Sequence, residues 1–199
     1  MTALARPDLR LHASWAEALL DFGSEQLHGA GTWEVPHEIR SSTSREACAY
    51  VIAELARRAD PDVPRPPDKV LSDYFWITDA DPDDDPDDPD DPDGGPAEVV
   101  GFIATRHDLN HFLLEGGGHL GYSVRPSRRR EGHAGRALRL ALAHLARIGL
   151  ARALITCDED NVGSRRTIEA AGGALEDIRA RTMRFWVDLD GLGDQERGR

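Results

Sequence analysis

The chain has 199 residues, and its 40% hydrophobic content suits one domain with a real core and excludes a wholly disordered protein. Its net charge of −12 is mostly local, because ten Asp and no basic residue lie between Asp79 and Asp93. With only −2 left for the remainder, charge indicates neither a nucleic-acid nor a membrane partner.

The N-terminal segment predicts a short strand followed by a helix. Leu9–His12 has the pattern of a strand, and Ser14 with Glu17 then forms a capping box. Apolar residues at helical spacing follow, so we expect a first helix from Trp15 to Gln26. A Gly-rich loop comes next.

A second helix and two strands are predicted before the middle of the chain. Thr43 and Glu46 form another capping box, for a helix that ends at Arg58 before a proline-rich stretch. Val70–Thr78 and Glu98–Thr105 are rich in β-branched and aromatic residues, which favours strands.

Between these strands lies an Asp/Pro-rich tract, residues 79–97, which we expect to be a disordered hairpin insertion. A calcium loop is the alternative. If Asp79 takes the first position of such a loop, Asp84 stands where the turn needs Gly and Asp90 where a bidentate Glu is needed. No metal site is therefore expected.

The second half alternates strands and helices. Strands are predicted at Gly118–Arg125, Arg152–Cys157 and residues 180–189. Helices are predicted at Ala134–Ile148, which has one apolar face and a Gly C-cap, and from Asn161 to the glycine pair that follows. The fold class is therefore α/β (α+β), with helices around one sheet.

The junction of the third strand and the amphipathic helix has the features of a phosphate cradle. Arg129-x-x-Gly132-x-Ala134 lies at this turn, where small residues allow close approach to the backbone. The first helical N–H groups lack partners within the helix and attract anions, as do Arg128, Arg130 and other nearby arginines. A basic surface loop or a nucleic-acid patch is the alternative, although no aromatic residues accompany these arginines.

Two segments, GGHLGYSVRPSRRREGHAGRALRLAL and LITCDEDNVGSRRTIEAAGG, resemble the GNAT N-acetyltransferase superfamily. Within it, the chain is similar to a bacterial branch described as predicted acetyltransferases. The resemblance covers nearly the whole chain, with the Asp/Pro-rich tract as a local insertion. It implies one domain over residues 1–199 with a flexible tail at 191–199, and a mixed, mostly antiparallel twisted sheet.

The resemblance also implies acetyl-CoA as cosubstrate, held where two strands splay apart. Pantetheine would pair with the backbone of the third strand, pyrophosphate would bind the cradle, and the Asn after the next strand would lie near the thiol. The cofactor-binding residues implied are Tyr122, Ser123, Val124, Arg129, Arg130, Glu131, Gly132, His133, Ala134, Gly135, Arg136, Asn161 and Ser164. Asn161 also suits a helix N-cap.

For catalysis, the resemblance implies that the Val124 amide polarises the thioester carbonyl. Many members carry a Tyr seven residues after the Asn as the acid for the departing thiolate, but this chain has Ile168 there. The general acid is therefore unassigned. Candidates for base or amine binding are Glu34, His107, Asp108, His119 and Tyr122.

The function expected is acetyl transfer to a primary amine of a small molecule, peptide or protein, by direct attack in a ternary complex. A non-catalytic acyl-CoA-binding sensor is the alternative that the replacement by Ile168 leaves open. We expect a cytoplasmic protein, monomeric or homodimeric, because the N-terminus lacks the apolar run of a signal peptide and the two cysteines cannot form a disulfide framework.

Overall fold

The structure is a computed structural model that describes residues 1–79, 97–190 and 192. The Asp/Pro-rich tract and the tail at 191–199 lie almost entirely outside these residues. Within the described residues, no helix is long and apolar enough to cross a membrane.

In the part of the chain that the structure describes, seven strands form one mixed sheet, in the spatial order β1-β2-β3-β4-β5-β7-β6. The strands are β1 (Thr2–Ala5), β2 (Ser72–Asp79), β3 (Glu98–Arg106), β4 (Leu120–Val124), β5 (Arg152–Asp158), β6 (Ala174–Arg179) and β7 (Thr182–Asp188). Every neighbouring pair is antiparallel except β4 and β5, which are parallel. The expected mixed and mostly antiparallel sheet is confirmed.

Helices cover both faces of this sheet. They are α1 (His12–Phe22), the single turn α2 (His37–Arg40), α3 (Arg45–Ala59), α4 (His133–Arg147) and α5 (Val162–Ala170). On one face α1 and α3 enclose a core that includes Trp15, Val51 and Phe102. On the other, the apolar side of α4 buries Leu138 and other residues against the strands. This arrangement places the start of α4 beside the C-terminal end of the central strand β4.

The structure corrects the N-terminal predictions. Leu9–Leu11 is a 3-10 turn and not a strand, because the Asp8 carboxylate accepts the Arg10 N–H and starts a turn that runs directly into α1. The predicted capping box is wrong, since the Ser14 hydroxyl accepts the Val99 N–H at 2.7 Å. The first helix also ends earlier than predicted, at Phe22.

The remaining helices and strands lie where they were predicted, within a few residues at each end. At α3 the capping residue is Ser44, whose hydroxyl accepts the Ala47 N–H, and not Thr43. The strands β1 and β6 and the single turn α2 were missed, as were two short helical segments at Leu113–Gly117 and Pro126–Arg128. Strand β6 is an edge strand whose side chains, apolar as well as polar, are mostly exposed, so its sequence lacks the alternation that marks a half-buried strand.

Candidate functional site

A gap opens between the parallel strands β4 and β5. Their only paired residues are Leu120 and Ile155, beyond which β4 pairs only with β3 and β5 only with β7. The two central strands therefore splay apart in the middle of the sheet, and beyond Leu120 one side of β4 has no partner strand among the described residues.

The backbone groups that face this gap follow from the alternation of an antiparallel ladder. The Arg106 N–H donates to the His119 carbonyl and the Arg125 N–H donates to the Val100 carbonyl, both at 2.8 Å. From His119 to Arg125, the backbone N–H and C=O groups of every second residue therefore face β3, and those of the residues in between face the opposite side. The N–H groups of Tyr122 and Val124 consequently point into the gap.

The backbone of Ser123 faces the opposite side from the backbones of its two neighbours. Its backbone faces β3, and its hydroxyl donates to the His28 carbonyl at 2.9 Å. The loop that holds His28 approaches β4 closely, since a Cβ on Gly29 would lie 2.3 Å from the Gly121 carbonyl oxygen. Of the three residues expected to pair with pantetheine, Ser123 therefore holds the N-terminal loop and leaves that pairing to Tyr122 and Val124.

The turn before α4 presents a series of free amides. Arg130 and Gly132 have positive φ angles of 69° and 86°, and they curl the chain so that Gly132 caps the helix without a side-chain bond. Among the described residues, the N–H groups from Arg130 to Gly135 find no acceptor. Such a series at the positive end of a helix dipole binds anions.

The arginines around this turn differ in how far they are already engaged. Arg128 makes ion pairs with Asp79, Glu98 and Glu131, so its charge is neutralised within the protein. Its guanidinium therefore links three segments of the chain, and the sequence prediction that it surrounds the phosphate site is not supported by this geometry. Glu131 is held by the same contact.

Other side chains of the turn also support its shape. Arg129 donates from Nε to the Val124 carbonyl at 3.0 Å, and Arg136 donates to the Glu131 carbonyl at 2.7 Å. The buried His133 lies below the turn, where its Nδ1 is 2.9 Å from the Thr2 hydroxyl. These contacts connect the turn to the end of β4 and to β1.

Arg130 differs from its neighbours. It is exposed and makes no ion pair or side-chain hydrogen bond among the described residues. A positively charged side chain beside free amides adds to the attraction for a phosphate group.

Helix α5 begins on the far side of the gap. The Asn161 side chain accepts the Ser164 N–H at 3.0 Å, so the predicted N-cap is confirmed. The Ser164 hydroxyl lies 2.9 Å from the Tyr122 hydroxyl, which joins β4 to α5 across the gap. Ile168, by contrast, is fully buried in the core. Burial raises the pKa of Tyr122, although its hydrogen bond to Ser164 opposes the shift, so the phenol keeps its proton at neutral pH.

A cavity of about 720 Å³ extends from this gap to the N-terminal loop. On the gap side its lining includes Leu120, Gly121, Tyr122, Cys157, Asn161 and Ser164, and on the other side Trp33, Glu34, Arg58, Lys69, Tyr74 and Arg106. The sequence predicted Cys157 only as a buried thiol. It lines the cavity because β4 and β5 splay apart, and the sequence of β5 does not indicate this splay. Glu34 does lie in the cavity, where Lys69 and Arg58 form ion pairs with it.

His119 does not line the cavity. It is 6% exposed, its Nδ1 accepts the Leu154 N–H at 2.9 Å, and its ring lies beside Trp186. Burial, together with the positive charge of Arg106, lowers its pKa to about 4. Because Nδ1 accepts the Leu154 N–H, the neutral ring carries its proton on Nε2 and has no free lone pair to take a proton from the amine. The catalytic role predicted for His119 is therefore not supported.

The other two candidates also lie away from the cavity. His107 directs Nε2 toward Asp73 at 2.8 Å, and Asp108 is exposed. Neither residue belongs to the cavity lining in the described part of the chain. Of the five candidates for base or amine binding, only Glu34 and Tyr122 reach the site.

Comparison with known proteins gives a family match and a shared fold. Residues 16–174 match the model of a family described as an acetyltransferase (GNAT) domain. No curated protein sequence matches the chain significantly. Among solved structures, RimJ of Mycobacterium smegmatis in complex with CoA-disulfide is similar at 18% identity, covering 94% of this chain and 81% of that one with a TM-score of 0.64.

Two further structures share the fold. RimL, a ribosomal L7/L12 alpha-N-protein acetyltransferase in complex with coenzyme A, is 15% identical, covering 95% of this chain and 94% of that one with a TM-score of 0.59. MccE, the microcin C7 self-immunity acetyltransferase, in complex with acetyl-CoA and AMP, is 11% identical, covering 94% and 92% with a TM-score of 0.54.

Proposed function

Because the chain belongs to the GNAT acetyltransferase family, we propose that it moves an acetyl group from acetyl-CoA to a primary amine of a small molecule, peptide or protein. The amine attacks directly while both substrates are bound. The observation that carries the proposal is the gap between β4 and β5, which opens into the large cavity and ends beside the free amides at the start of α4.

The two ends of the gap suit the two ends of acetyl-CoA. The free amides from Arg130 to Gly135 would hold the pyrophosphate, with Arg130 as an additional cation. The amide and carbonyl groups of Tyr122 would pair with pantetheine as a further strand does. Acetyl-CoA itself supplies the activated acetyl group.

The Val124 amide is our candidate for stabilising the negative charge that develops on the thioester oxygen. It points into the gap because its neighbour Arg125 bonds to β3. A donor fixed by a strand needs no reorganisation during the reaction, and one such donor contributes about 3 kcal/mol in comparable sites.

The Tyr122 hydroxyl is our candidate for protonating the departing thiolate. It lies in the gap, it is held by Ser164, and its raised pKa keeps it protonated. This phenol would replace the Tyr that many family members carry at the position of Ile168. The sensor alternative, which rests on Ile168, then loses its support.

Glu34 would shape the acceptor end of the cavity. Its carboxylate already pairs with Lys69 and Arg58, so we assign it to positioning and expect the amine to lose its proton through water. The neighbour RimL is named for acetylating a protein α-amine. Peptides with free N-termini are therefore the first acceptors to examine.

Release of CoA thiol from acetyl-CoA in the presence of an amine panel tests the proposal. The panel would contain peptides with free N-termini, the same peptides with blocked N-termini, and small primary amines. We expect release with at least one free amine and none with its blocked counterpart. Tight binding of acetyl-CoA without release on any amine would contradict transfer and support the sensor.

A further inference from the structure

A second cluster of chemically active side chains lies outside the acetyl-CoA site. Asp73 on β2, His107 just after β3 and His144 on α4 each offer one ligand atom, and the three atoms lie within 4.8 Å of one another. His107 and His144 are 34 and 71 residues from Asp73 in sequence, so the three residues do not form a short sequence motif.

The cluster faces away from the acetyl-CoA cavity. Ser72 and Tyr74 line that cavity, and Asp73 lies between them on β2. Because successive side chains of a strand alternate between faces, Asp73 points to the opposite face, where His144 of α4 meets it. The cluster therefore belongs to a site of its own.

Both imidazoles direct the same kind of atom at the same oxygen. Nε2 of His107 and Nε2 of His144 each lie 2.8 Å from Asp73 Oδ2. The three side chains are shielded but reachable, with exposed fractions of 10% for Asp73, 23% for His107 and 14% for His144.

Surrounding groups hold the three ligands in orientation. Arg6 donates to the other carboxylate oxygen, Oδ1, at 2.9 Å and so leaves Oδ2 directed at the imidazoles. The His144 ring packs edge-on against Phe75 with centroids 5.2 Å apart, and the Arg6 guanidinium covers the same Phe75 ring. Outer contacts of this kind are what fix the ligands of metal centres.

We propose that Asp73, His107 and His144 form a binding site for one divalent transition-metal ion, of which Zn²⁺ suits the ligands best. Two imidazole nitrogens and one carboxylate oxygen are a common ligand set for Zn²⁺, which completes four-coordination with water. Binding needs the lone pair of each Nε2, so both imidazoles carry their proton on Nδ1 in the loaded state. The oxygen-preferring ions Ca²⁺ and Mg²⁺ do not suit two imidazoles.

The site would act as a structural clamp. Its ligands come from β2, the segment after β3 and the C-terminal half of α4, so a bound ion ties this helix to two strands. The N-terminus of the same helix presents the free amides of the phosphate site. The metal therefore stabilises the scaffold and takes no part in acetyl transfer.

Titration of Zn²⁺ into chelator-treated, untagged, full-length protein tests the site. We expect one Zn²⁺ per chain, a rise in Tm of about 5 °C or more at saturation, and visible absorption bands of a low-symmetry site when Co²⁺ replaces it. Mg²⁺ at the same concentration should produce none of these effects.

Matched variants locate the binding. His107→Gln still donates a hydrogen bond to Asp73 but has no imidazole, and His144→Ala removes the other ring. Each should weaken Zn²⁺ binding by at least about 10-fold and abolish the Co²⁺ bands. His37→Ala replaces an exposed histidine that belongs to no group of possible metal ligands in the described residues, so it should change nothing.

Absence of Zn²⁺ binding to the wild-type protein would overturn the proposal. So would binding whose affinity is the same in His107→Gln and His144→Ala as in the wild type, because the ion would then be held elsewhere, for instance by the Asp/Pro-rich tract. These measurements do not use acetyl transfer, so their outcome is independent of the proposed enzymatic function.

Discussion

At the residue scale, Tyr122 and Ser164 supply the hydroxyl groups that Ile168 cannot. Replacing Tyr122 by Phe removes one oxygen and keeps the ring in the core. We expect kcat to fall roughly 10- to 100-fold, the lower end of what a general acid contributes, because a CoA thiolate is already an acceptable leaving group. The KM for acetyl-CoA should change little. Initial rates of CoA release measure both constants.

The control for this variant is Tyr50→Phe, which removes the same oxygen from a half-exposed side chain on α3. It should behave like the wild type. An unchanged kcat in Tyr122→Phe would show that the proton comes from another group.

The buried His119 should make the free energy of unfolding depend on pH. Its pKa is about 4 in the folded protein and about 6.5 in an unfolded chain, so the unfolded state takes up the proton first as the pH falls. The contribution of the neutral imidazole is present above pH 6.5 and is lost between pH 6.5 and 4. Its loss amounts to roughly 3 kcal/mol of unfolding free energy.

Urea denaturation at pH 7 and pH 4 measures this effect. His119→Asn is the comparison, because an amide oxygen can accept the Leu154 N–H without titrating. The wild type should lose roughly 3 kcal/mol more than the variant over this interval. Equal losses would mean that His119 titrates normally.

At the scale of elements, the arginines of the turn before α4 have two different roles: Arg128 stabilises the fold, and Arg130 is proposed to bind the cofactor. Arg130→Ala removes the unpaired cation, and we expect acetyl-CoA affinity to fall about 5-fold with little change in stability. Arg128→Ala removes the guanidinium that Asp79, Glu98 and Glu131 share, although each carboxylate keeps one other partner: the N-terminus, Arg125 and His133, respectively. Because these groups are partly exposed, we expect a loss of about 1–2 kcal/mol in unfolding free energy.

Acetyl-CoA titration and urea denaturation of both variants separate the two roles. The opposite pattern, with affinity lost in Arg128→Ala and stability lost in Arg130→Ala, would contradict the division.

The sequence predicts the elements that carry their own periodicity. The apolar face of α4 and its Gly C-cap located that helix to within one residue at each end, and Asn161 located the start of α5. Two of the three partners of Arg128 could not be predicted from the sequence, because Asp79 and Glu98 lie 49 and 30 residues away and meet it only through the sheet. The same holds for the edge strand β6, because its mostly exposed apolar and polar residues show no alternation and it forms by pairing with β7.

At the scale of the whole molecule, the sheet order decides which predicted residues meet. Tyr122 and Ser164 come together because β4 and β5 are neighbours that splay, although no local pattern marks the splay. His107 and His119 were predicted from residue type alone, and the fold turns both away from the cavity. The parts of this site that a backbone motif describes, such as the turn before α4, were therefore predicted well. The parts chosen only by side-chain chemistry were predicted poorly.

Acetyl-CoA binding at the N-terminus of α4 is the central feature of the proposed function. Gly135 is the best position to test it, because a Cβ there would have only the flexible end of Arg139 as a neighbour, at 3.9 Å. A carboxylate at this position would repel a pyrophosphate on the adjacent amides. Gly132 is less suitable, since its φ of 86° strains any other residue.

Calorimetric titration of acetyl-CoA into the wild type, Gly135→Ala and Gly135→Glu is therefore the most direct measurement. Binding of one acetyl-CoA per chain to the wild type and to Gly135→Ala, with binding lost in a folded Gly135→Glu, is the predicted result. Equal affinity in all three proteins would contradict the assignment of the phosphate site to the start of α4.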